Sequence, residues 1–174
     1  MGILLFETHK KDIKKPLAAH TTGERGGHMA DFAVLEQGER LARRLVARLG
    51  PAVGAGERPA LLVVAPGVCL TQELGPLECG TVLLPGGGTH LMELVHARNA
   101  VSYGPSGRDT ITLSSREGER AWVSVQRELV RLDGTVLERQ EVAVRVPTDM
   151  ETMQMLALAG ALLLMGVEPE ELGT

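Results

Sequence analysis

Apolar and polar positions change period several times along the chain, and each change marks an element. Between Asp31 and Leu49, Phe32 and Leu35 sit one turn apart, and Leu41, Leu45 and Leu49 recur every fourth residue, with Ala42 and Val46 beside them. That spacing predicts an amphipathic helix over 31–49, capped at Asp31 and stopped by Gly50-Pro51. Ala60-Leu61-Leu62-Val63-Val64-Ala65 is a continuous apolar run between Pro59 and Pro66, the pattern of a strand covered on both faces. Residues 68–72 read as its return strand, and Thr81–Leu84 as another short strand. Thr89 is placed to cap a short helix over 89–97, with Leu91, Leu94 and Val95 as its apolar side.

From 109 to 146 the period falls to two. Ile111 and Leu113 alternate with Thr110 and Thr112; Ala121, Val123 and Val125 with Trp122 and Ser124; Val142, Val144 and Val146 with Ala143 and Arg145. Asp133-Gly134 is a two-residue turn of the type I′ kind, so the stretch reads as a three-stranded antiparallel meander. Thr148 and Glu151 have capping-box spacing ahead of a helix over 149–165, with Gly166 as its stop. Helices segregated from antiparallel strands indicate the α+β class. The expected architecture is an antiparallel sheet of about five to six strands, including the C-terminal meander, packed by an N-terminal amphipathic helix and a very apolar C-terminal helix.

The last helix departs from the usual single apolar stripe. From Met153 to Met165 the only polar residue is Gln154, so every side requires cover. Its apolar length, about 20 Å, is short of the roughly 30 Å hydrocarbon core, and acidic rather than basic residues follow it. Membrane insertion is therefore not expected. One source of cover is a second subunit: Met153, Leu156, Ala157, Gly160, Ala161 and Leu164 form the expected homodimer interface, with the small residues permitting close backbone approach. The apolar C-terminal helix after strands also resembles the tubby-like and scramblase arrangement, in which such a helix threads a β-barrel. About six strands are too few to close that barrel, which favours the dimer over it; a three-layer monomer with the first helix on the far side would also bury this helix. The element order resembles roadblock-type scaffold domains and secretion-chaperone-like folds, and that resemblance implies dimerisation and protein partners.

Composition sharpens this picture at the N-terminus. All four lysines lie at 10, 11, 14 and 15, while the 13 arginines after Met29 have no lysine among them. Gly26-Gly27-His28-Met29 is the junction a cloning site leaves ahead of a start codon. Residues 1–28 thus read as a vector-derived or flexible leader and 29–174 as a single domain. The body carries 13 Arg against 19 Asp and Glu, a net of −6, which disfavours a nucleic-acid surface. Four aromatic residues, Phe6, Phe32, Tyr103 and Trp122, are too few for a base-stacking platform. The leader's Ile3–Phe6 run is too short for a signal-peptide core, and Cys69 and Cys79 match no zinc or redox spacing, so a cytoplasmic, bacterial protein with reduced thiols is expected.

Candidate chemistry is sparse. Gly86, Gly87, Gly88, Thr89 and His90 follow a strand and open a helix, the one arrangement here that resembles an anion site. It lacks the lysine and spacing of a P-loop and is not GxGxxG. His90 and His96 are six apart and point to different faces, so no metal is expected from them. Ser114, Ser115 and Ser124 have no nucleophile elbow around them. Asp109 reads as a loop partner of Arg108. The meander arginines interleave with Glu117, Glu119, Glu128, Asp133, Glu138 and Glu141, the pattern of a solvated sheet face. The expected function is a non-enzymatic protein-binding or adaptor/chaperone-like domain without cofactor, homodimeric. The competing reading is a small ligand-binding or enzymatic domain built on 85–90, with His90 or His96 as acid or base.

Overall fold

The computed structural model describes residues 4–9, 12–13, 31–38, 41–49, 58–69 and 75–174. In chain order these form β1 (Leu4–His9), β2 (Asp12–Ile13), β3 (Phe32–Glu36), α1 (Leu41–Leu49), β4 (Leu61–Val64) and β5 (Leu77–Pro85). A 3₁₀ turn (Gly88–Glu93), β6 (Val95–Tyr103), β7 (Ile111–Glu117), β8 (Arg120–Val125), β9 (Leu129–Val130) and β10 (Val136–Leu137) follow. The chain closes with β11 (Gln140–Arg145), α2 (Thr152–Leu164) and α3 (Pro169–Leu172).

One sheet has the order β11-β8-β7-β6-β5-β4-β3-β1-β2, and β9 and β10 form a separate ribbon. Strands β3 through β7 pair in parallel, while β7–β8 and β8–β11 are antiparallel. The expected antiparallel sheet of five to six strands is thereby corrected: the body contributes seven strands to a mixed, mostly parallel sheet. The reason lies in burial. Every residue of β3 and of β4 is buried, so these strands show no alternation, as expected where both faces are covered. Two segments N-terminal to β3, Leu4–His9 and Asp12–Ile13, also enter the sheet. Strand β1 pairs in parallel with β3, from Leu4 opposite Ala33 to Glu7 opposite Glu36, and β2 turns back on β1.

Three further expectations are corrected. The helix over 31–49 is a strand followed by a helix. Phe32–Leu35 joins the sheet, Gly38 turns the chain at φ +72°, and the buried Glu36 carboxylate accepts hydrogen bonds from the N–H groups of Leu41 (2.5 Å) and Ala42 (3.4 Å). It so supplies the negative cap that opens α1. Val68 and Cys69 are not strand, and 70–72 lie outside the described residues. The helix over 89–97 is a 3₁₀ turn that gives way at Leu94 to a nine-residue strand.

The meander forms as β7, β8 and β11, with the Asp133-Gly134 ribbon inserted between its second and third strands. The final helix starts at Thr152, not 149, because the preceding turn has another anchor: the Arg116 guanidinium donates to the carbonyls of Met150 (2.7 Å), Pro147 (3.1 Å) and Thr148 (3.1 Å). Its end follows the expectation. Gly166 lies at φ +88°, its N–H reaches Leu163 O (3.1 Å), and Val167 N–H reaches Leu162 O (3.0 Å). This is the paired bonding of a Schellman stop.

Candidate functional site

The parallel and antiparallel halves meet at a single pair, Tyr103 with Ile111. Strand β7 begins where β6 ends and runs onward in the same direction. The loop between them is closed by Gly104 N–H to Ile111 O (3.0 Å) and Thr110 N–H to Ser102 Oγ (3.2 Å). The Tyr103 ring is fully buried, and its hydroxyl donates to Val64 O of β4 (2.7 Å).

Helix α2 lies in the fork this junction makes. It packs on β4, β5 and β6 of one half, on β7 of the other, and on α1. A Cβ built on Gly160 would lie 2.7 Å from Ile111 Cδ1 and 3.1 Å from Leu83 Cδ2, so glycine here permits contact with both halves at once. Leu132 N–H also donates to Leu164 O (2.9 Å). Residues 155–164 are all buried within one chain. Of the residues assigned to a dimer interface, Leu156, Ala157, Gly160, Ala161 and Leu164 are thus covered by their own sheet and neighbouring helix, and only Met153 keeps partial exposure. The close approach foreseen for the small residues is made to the sheet. The apolar circumference that called for a second subunit is satisfied within the chain.

The Gly-rich loop is also occupied from within. Gly86 N–H donates to Tyr103 O (2.8 Å), and Gly87 takes the left-handed conformation at φ +79°. Gly88 is buried against Leu91 and Leu84, Thr89 lies in the 3₁₀ turn, and His90 is exposed. Against this loop sits Asp109, 5% exposed. Its Oδ2 accepts from Ser106 N–H (3.1 Å), and its own N–H donates to Ser106 O (2.9 Å). A side chain at either Gly86 or Gly104 would collide with the Asp109 carboxylate. The two loops therefore clasp one carboxylate, and its negative charge opposes a bound anion at 86–90. Asp109 makes no ion pair with Arg108 among the described residues; the Arg108 carbonyl instead accepts from Arg127 Nη2.

His90 and His96 lie on different elements, and no group of three metal-ligating side chains occurs among the described residues. Cys69 is exposed and Cys79 buried. Burial pushes the Cys79 thiol up to about 11, against a smaller opposite effect of Arg58, so it is protonated and inert at neutral pH. No helix among the described residues is long and apolar enough to cross a membrane.

The feature that sequence reasoning missed is the outer side of β6. Val95–Tyr103 pairs with β5 at every position but Arg98, from Leu77 opposite Val95 to Pro85 opposite Tyr103. On its other side only Tyr103 has a strand partner among the described residues. Arg98, Asn99 and Ala100 are consecutively exposed. A period-two signal was present in Val95, Ala97, Val101 and Tyr103 against His96, Arg98 and Ser102. The helical spacing of Leu91, Leu94 and Val95 obscured it.

Comparison of the chain with protein-family models, with curated proteins and with solved structures returned no significant match.

Proposed function

We propose that the protein is a non-enzymatic protein-binding domain whose receptor is the open side of β6. The observation that carries this reading is the lone Tyr103–Ile111 junction, which leaves the outer side of residues 95–102 without a strand partner among the described residues. Such an edge presents a row of backbone donors and acceptors to a further chain, and an extended segment adds to it by main-chain hydrogen bonds. The open side of β6 supports the adaptor role expected from the sequence without any contribution from α2.

Co-purification followed by hydrogen exchange tests this. A partner is expected to slow exchange of alternate amides within 95–102 and to leave 156–164 unchanged. Turnover of a small molecule with no protein partner, or partner protection confined to another surface, would overturn it.

A further inference from the structure

We infer, resting on the edge reading just given, that the segment received by β6 is acidic, carrying carboxylates at alternate positions. Side chains two apart on a strand share a face. His96 and Arg98 therefore lie on one face of β6, and both are exposed. Glu78, which stands opposite His96 in the β5–β6 register, already pairs with Arg58 at 3.4 Å. Arg98 makes no ion pair among the described residues. A strand added beside β6 would place its own i and i+2 side chains against these two positions, where a carboxylate pairs with the Arg98 guanidinium and another accepts from a His96 ring N–H. The body's net charge of −6 makes this basic spot a local exception, so it selects for register more than it steers approach from a distance.

The test uses the full chain and three blocked heptapeptides that alternate Val with Glu, Val with Thr, or Val with Lys. Each is N-methylated along one edge to keep it monomeric. The Glu peptide is expected to bind tightest, about fivefold tighter than the Thr peptide at low salt, with the preference fading at 0.5 M salt. Arg98→Glu, at an exposed position, is expected to move the preference to the Lys peptide. Equal affinity for all three peptides, with amides in 95–102 still protected, would overturn the acidic class and leave the edge reading standing. Absence of both binding and amide protection for every peptide would overturn the two together.

Discussion

The two halves of the sheet are built on opposite principles. The antiparallel half, β7-β8-β11, joins strands close in sequence and shows water one face, and its own tail packs against its last strand. There α3 docks on β11, Leu172 is buried, and Gly173 lies against the Ala143 carbonyl. The tail is held by Arg131, whose guanidinium donates to both Glu168 oxygens at 2.8 and 3.0 Å. That bond holds the Glu168 carboxyl below its usual range. In the parallel half, β3 and β4 are buried on both faces, and among the described residues β6 has a strand partner on its outer side only at Tyr103. Among the described residues, one half thus carries its tail against its last strand and the other leaves one side of a strand without a strand partner. Edges are where proteins meet further strands, and this difference is the ground on which the binding surface is proposed on the parallel half.

Helix α2 packs on both halves, and breaking it gives the largest expected effect. Leu156→Ala removes a fully buried side chain in the fork and is expected to cost about 2–5 kcal/mol in urea unfolding. The transition should remain single, with β5 and β8 amides losing protection together; loss confined to one half would contradict the shared buttress. Gly160→Val presses on Ile111 and Leu83 simultaneously and should cost about 1–3 kcal/mol, whereas an unchanged midpoint would show that α2 stands off the junction. Tyr103→Phe deletes the hydroxyl bond to Val64 O at the meeting point of the halves. Its expected cost is about 1 kcal/mol, read from the same denaturation curve.

A further effect is confined to alkaline pH. Cys79 has a thiol raised from 9.0 to about 11 by burial in the folded chain. The folded state therefore keeps a proton that the unfolded state loses. The stability it contributes is fully present below pH 9 and is lost as pH rises towards 11. Cys79→Ala should flatten that slope. A slope unchanged by the substitution would assign the alkaline loss to another group.

The same contrast explains what was legible in the sequence. The antiparallel half was readable because its information is local: alternation at Ala121, Val123 and Val125, the turn at Asp133-Gly134, and strands adjacent in the chain. The stop at Gly166 was readable for the same reason. The parallel half was not. Phe32-Ala33-Val34-Leu35 is buried on both faces, so its pattern suits a helix as well as a strand, and only the distant partner Leu61–Val64 decides. His96, Arg98, Asn99 and Ala100 are ordinary surface residues whose strand conformation is imposed by β5. The apolar circumference of α2 was read correctly as a demand for cover on every side. A fork in the sheet, which no local pattern encodes, supplies that cover within one chain. Asp109 was visible only as a loop acid, because its fit between Gly86 and Gly104 joins two separate loops.

Hydrogen exchange of the full chain, run at two protein concentrations a hundredfold apart, tests the account most directly. Amides of 156–164 should exchange only through global unfolding at both concentrations, while alternate amides of 96–101 exchange rapidly at both. Protection of the helix that falls on dilution, or uniform protection along β6 in the isolated protein, would contradict it.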